Sequence, residues 1–109
     1  MSDDYTKMKS YEITEYIRNI SKKDTVKVYY RKGRFENVKS VELEVYEINQ
    51  GDKPYISCWE AGLEKPGVAH SSKYYNLELY KMQAGYKLRN ISNSDVDGSK
   101  IISIKNIEI

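Results

Sequence analysis

A chain of 109 residues is long enough for one hydrophobic core and too short for two, so a single domain spanning 1–109 is expected. With 39% hydrophobic and 31% charged residues the chain is too apolar and too patterned to be disordered, and a net charge of +2 excludes polycation behaviour toward nucleic acid or membrane as a whole. Cys58 stands alone, which excludes an internal disulfide, and together with a polar start (MSDDYTKMKS) and no long apolar run it predicts a cytoplasmic protein without a membrane span.

Residues 1–9 read as a flexible N-terminus. From Ser10 to Ile20, Ile13, Tyr16, Ile17 and Ile20 fall at offsets of three, four and seven, one apolar stripe of a helix. Ser10 is the expected cap, Glu12 and Glu15 suit the positive end of the helix dipole, and Lys22 and Lys23 suit the negative end. A helix this short needs tertiary packing to persist.

From 24 to 109 the period changes to two. Val26, Val28 and Tyr30 alternate with Lys27, Tyr29 and Arg31, followed by a turn at Lys32, Gly33 and Arg34. The return strand carries Val38, Val41, Leu43 and Val45. Its apolar phase switches between Val38 and Val41, which predicts a bulge near Lys39 and Ser40. Gly51–Pro54 form a turn before a strand at Tyr55–Trp59. Gly62–Ser72 read as the longest loop, Tyr74–Lys81 as a strand, Ala84 and Gly85 as a turn, Tyr86–Ile91 as a strand and Ile101–Ile109 as the last. The expected fold is mainly β (α+β): an N-terminal helix followed by a strongly bent antiparallel sheet, or a small partly open barrel of about six strands.

The chemistry-bearing residues are few. His70, Ser71, Ser72 and Cys58 supply the only nucleophile and base ingredients; a triad also needs an orienting acid and an oxyanion hole, so a solvated loop histidine and no catalytic residue are expected. Asn93, Asp95, Asp97 and Gly98 match half of a calcium loop, but Ile104 stands where a bidentate Glu is required. A β-turn at Asp97-Gly98 is therefore expected, with no metal and no cofactor.

Two surfaces stand out. Lys22, Lys23, Lys27, Arg31, Lys32, Arg34 and Lys39 crowd one segment, and Lys27, Tyr29, Arg31, Lys32 and Arg34 are the candidates for binding nucleic acid or another partner, cations neutralising phosphates while a ring stacks on bases. The alternative is a solvated strand whose charges discourage aggregation. The next segment is acidic, with Glu36, Glu42, Glu44 and Glu47, and neutralises part of that charge across the sheet. Eleven tyrosines against one Phe and one Trp point to a half-exposed aromatic surface for protein contact, with Tyr46, Tyr55, Tyr74, Tyr75 and Tyr80 as candidates; strand propensity and AT-rich codons explain the same count equally well.

The order of helix, VKVYYRKGRFENV, VELEVYEI, GDKP, YISCWEAG and KYYNLELYKM, covering Tyr11 to about Met82, resembles the WYL-domain and YolD-like small barrels of Sm-like or SH3-like form. The resemblance implies a helix-preceded barrel. WYL domains carry an arginine in the segment matching YYNLELYKM, where this chain has only Lys81, so no functional residue transfers.

The resulting expectation is a non-enzymatic macromolecule-binding protein, foremost a protein-binding inhibitor or regulator of phage or mobile-element type, such as an anti-CRISPR or other anti-defence protein. The abundance of Lys, Ile, Asn and Tyr, all from AT-rich codons, fits a low-GC bacterium or its phages. The alternatives are a nucleic-acid-binding regulator and a barrel holding a small molecule between Trp59 and the tyrosines. Homodimerisation through the isoleucine-rich last strand is also expected.

Overall fold

The computed structural model of the chain describes residues 5–49, 55–61, 74–79, 86–90 and 96–107. One helix, α1 (Ser10–Asn19), precedes six strands: β1 (Thr25–Arg31), β2 (Lys39–Asn49), β3 (Tyr55–Glu60), β4 (Tyr74–Glu78), β5 (Lys87–Asn90) and β6 (Ser99–Asn106). Each strand pairs antiparallel with the next, and β6 returns to β1, so the sheet closes into a barrel in strict sequence order. The expected mainly β fold with a leading helix is what the chain adopts, and the sheet is closed rather than partly open. The turns at Gly51–Pro54 and at Ala84 and Gly85, and the loop Gly62–Ser72, lie outside the described residues.

Strand alternation builds the interior. Val26 and Val28 of β1, Leu43 and Val45 of β2, Ile56 and Cys58 of β3, Leu77 of β4 and Leu88 of β5 are all completely buried. Each such aliphatic side chain contributes about 1.5–3 kcal/mol relative to exposure. Closure also changes what the last strand can do. Because β6 pairs with β1 along Val26↔Asn106 to Arg31↔Lys100 and with β5 at Lys87↔Lys100 and Leu88↔Ser99, it is an inner strand of the barrel and not the free edge expected for a dimer.

The β5–β6 ladder is short, and α1 packs against the barrel beside β6. Ile13, Ile17 and Ile20 enter the core, the Tyr86 hydroxyl donates to Thr14 Oγ1, and the Tyr16 hydroxyl donates to Asn106 Oδ1. Residues 5–9, expected to be flexible, are seated alongside: the Met8 N–H donates to the Ile102 carbonyl at 3.2 Å, and the Ile104 N–H points at Met8 Sδ at 3.4 Å. The helix cap is Lys9 rather than Ser10, and Glu12 Oε1 accepts the Lys9 backbone N–H at 2.8 Å. The carboxylate three residues on thus satisfies an N–H at the helix start, which a lysine side chain, having no acceptor, cannot do.

The bulge expected near Lys39 and Ser40 is absent, since β1 and β2 pair without a shift from Thr25↔Glu44 to Tyr30↔Lys39, and Val38 precedes the strand. The irregularities lie elsewhere, between Val45 and Glu47 against β3 and between Tyr29 and Tyr30 against β6. In β2 the extra residue is Tyr46: Val45 faces inward, Tyr46 and Glu47 intervene, and Ile48 packs back on the core. One inserted residue changes the phase of every residue after it, and so carries a long strand around the barrel.

Candidate functional site

The outer face of β1 holds Lys27 and Tyr29, as the alternation requires. Lys27 sits opposite Glu42 in the β1–β2 register, which places a carboxylate beside the first cation of the expected basic surface. Lys27 Nζ and Lys105 Nζ lie 5.4 and 5.8 Å from the Tyr29 ring centroid. Cations on a ring are what a nucleic-acid platform needs, yet the ring is not available. Tyr5 packs on it with centroids 5.0 Å apart, and Tyr29 is only 5% exposed. Tyr29 is therefore covered by the chain's own N-terminal segment and offers no open face for a base.

The tyrosine surface also divides once folded. Tyr75 faces the interior with Tyr30 and Tyr86, so it is core and unavailable to a partner. Tyr74 is buried on the outer wall, where its ring lies 5.7 Å from Tyr46 and 5.0 Å from Trp59. Tyr46 in turn lies 5.2 Å from Trp59. The Tyr46 hydroxyl donates to the Tyr74 hydroxyl at 2.7 Å, Tyr74 donates to Ser57 Oγ at 3.3 Å, and Ser57 donates to Asn76 Oδ1 at 2.8 Å. These rings and hydroxyls satisfy one another. Burial, followed by the bonded Tyr74 hydroxyl, pushes the Tyr46 phenol well above its ordinary value. The β2 bulge is what turns Tyr46 outward onto Trp59. Trp59, Tyr46 and Tyr74 thus form an outside cluster and do not line an interior pocket. Tyr55 remains half-buried on β3, and Tyr80 lies outside the described residues.

The remaining basic candidates meet at the β1–β2 loop. Arg31 ends β1, and Lys32, Arg34 and Phe35 follow in an exposed turn held by the Gly33 N–H to Glu36 Oε2 at 3.2 Å and the Glu36 N–H to the Gly33 carbonyl at 3.1 Å. Phe35 is 96% exposed. Neither Arg31 nor Arg34 pairs with a carboxylate among the described residues. Phe35 is not among the residues expected to function; the legible signal is a lone phenylalanine inside a basic turn, KGRF, where a solvated loop has no use for an apolar ring.

A second surface escapes the sequence entirely. A groove of about 610 Å³ lies between one face of α1 and the barrel at Asp24 and Asn106, its accessible wall mainly apolar, with Met8, Tyr11 and Ile20 alongside the carboxylates Glu12, Glu15 and Asp24. Tyr11 in it is 68% exposed.

Cys58 is inside the barrel, and burial pushes its thiol far above the ordinary range, which removes it as a nucleophile at neutral pH. His70, Ser71, Ser72, Asn93 and Asp95 lie outside the described residues. Asp97 and Gly98 occupy a turn in which the Ser99 N–H donates to the Val96 carbonyl at 3.1 Å and Gly98 takes a left-handed φ of 81°. Among the described residues no helix is long and apolar enough to cross a membrane. No family model, curated protein or solved structure matches this chain.

Proposed function

We propose that this chain is a non-enzymatic protein-binding regulator or inhibitor that engages its partner through the Arg31–Phe35 loop. A lone exposed apolar side chain is common on protein surfaces. Phe35 differs in its setting, because it projects from a hairpin fixed in a closed barrel and stands beside arginines with no described carboxylate partner. That combination supports the reading: an aromatic ring that fills a pocket while guanidinium groups engage its rim is the usual form of an interface hot spot. The partner surface it fits is an apolar pocket with carboxylates at its edge. The AT-rich residue usage supports placing such a protein among the inhibitors and regulators that phages and mobile elements encode, anti-CRISPR and other anti-defence proteins included.

A second reading has its own observation. Cations around an exposed ring also suit single-stranded nucleic acid, with Phe35 taking the stacking role that the covered Tyr29 cannot. Against it stand the net charge of +2 and Glu42 opposite Lys27. Affinity capture from a nuclease-treated low-GC bacterial lysate separates the two. A protein retained by wild type and lost with Phe35→Ser supports the first reading; binding that disappears with nuclease, and in purified form weakens steeply with salt, supports the second.

A further inference from the structure

We propose that the groove beside α1 docks the Arg31–Phe35 loop of a second copy of this chain. The inference rests on the reading of that loop as a binding tip, and it names a partner available to every molecule in solution. The two surfaces are complementary in each property that matters. The groove has a mainly apolar wall and carries Glu12, Glu15 and Asp24, with no lysine or arginine among its lining residues. The loop offers an apolar ring, 96% exposed, beside Arg31, Lys32 and Arg34, while its one carboxylate, Glu36, is turned back to accept the Gly33 N–H at 3.2 Å. Opposite charges facing each other across a small contact steer and orient it, while the buried ring holds it.

The fold also decides that the contact is between copies. Asp24, in the groove, immediately precedes β1, and Arg31, at the base of the loop, ends it. Seven residues of extended strand separate the two by roughly 20 Å, and the closed ladder prevents β1 from bending back. A loop therefore reaches only another molecule's groove. Two copies can exchange loops reciprocally about a two-fold axis, or successive copies can join head to tail. Either arrangement leaves β6 within its own barrel. Filling the groove also occupies the loop, so self-association and partner binding compete.

The contact is small, at the low end of interface sizes, below about 1,200 Å², so the association is weak. The test is sedimentation velocity of the purified chain up to about 1 mM, on wild type, Arg34→Glu, Glu15→Arg and an equimolar mixture of the two variants. Arg34 and Glu15 are both exposed, and unchanged melting temperatures establish that each variant folds. Wild type is expected to associate with concentration and less so with added salt. Each single reversal weakens that association about tenfold or more. The mixture recovers it, because one contact in the mixed pair is native and the other joins the two substituted positions with their charges exchanged. A wild type that stays monomeric throughout overturns the proposal, as do single reversals that associate like wild type or a mixture that fails to recover. A monomeric chain that still captures a partner through Phe35 sinks this inference and leaves the proposed function standing.

Discussion

Two aromatic regions of this barrel show opposite behaviour. On the outer wall, Tyr46, Trp59 and Tyr74 lie 5.0 to 5.7 Å from one another, with Trp59 and Tyr74 each 7% exposed and hydroxyls joined through Ser57 to Asn76. At the β1–β2 loop, Phe35 stands in solvent between Arg34 and Glu36, in a turn that also carries Arg31 and Lys32. Abundance of aromatic residues, which points to a tyrosine surface, is a poor guide to contact surfaces, because rings that satisfy each other are part of the fold. On the proposed reading, the isolated ring is the one left to bind.

Truncating each ring should separate the two regions by the largest margin. Trp59→Ala should cost about 3–5 kcal/mol of stability, read as a fall in the midpoint of urea unfolding, because the cavity it leaves cannot be filled by its equally fixed neighbours. Little loss would mean that the wall cluster is not structural. Within the same cluster, Tyr74→Phe keeps the ring, removes the acceptor of the Tyr46 hydroxyl and one donor to Ser57, and should cost about 1–2 kcal/mol. Phe35→Ala should change stability by no more than about 0.5 kcal/mol while abolishing capture of the partner. A large loss of stability there would show that Phe35 packs on something and is not a free tip.

Alkali sharpens the contrast at smaller amplitude. Burial raises the pKa values of Tyr16, Tyr46 and Tyr75 above the ordinary tyrosine value of 10.0, and that of Cys58 above its ordinary 9.0. Tyr16 also has Asp24 nearby, which acts in the same direction. Raised folded-state values mean that the unfolded chain releases these protons first. The stabilising effect is complete below the unfolded pKa and is lost as pH climbs toward the folded one. The melting temperature should therefore hold steady to about pH 9 and fall above about pH 10. A flat profile into strong alkali would show that these groups titrate alike in both states. Cys58 should likewise resist thiol reagents at neutral pH until the barrel is unfolded in urea, and rapid labelling of the folded chain would contradict its interior position.

Much of the barrel is legible because alternation is local. Val26, Val28 and Tyr30 can be assigned inward from period two alone, and the stripe Ile13, Ile17, Ile20 from period three to four. The β2 bulge is misread from the sequence, which points to Lys39 and Ser40: the phase change that matters is Val45 to Ile48, and Val38, which reads as strand, belongs to the loop. Closure is not legible. Pairing Val28 with Ile104 is a contact between distant parts of the chain, and nothing in either strand alone specifies its partner. The candidate site reads less well for the same reason. Lys27 and Tyr29 share the outer face as alternation requires, but Tyr5, from the other end of the α1 segment, covers the ring. Whether an aromatic side chain is covered depends on distant neighbours, and so buried Tyr74 and Tyr75 read as surface, while for Phe35 the local mark is only its place in the basic turn KGRF.

Quantitative capture from nuclease-treated lysate by wild type, Phe35→Ser and Tyr55→Ala side by side, each with an unchanged melting temperature, distinguishes the loop from the wall. If the loop binds, proteins retained by wild type are lost with Phe35→Ser and kept with Tyr55→Ala. Retention by Phe35→Ser together with loss by Tyr55→Ala would contradict loop binding and return the binding surface to the tyrosine-bearing wall.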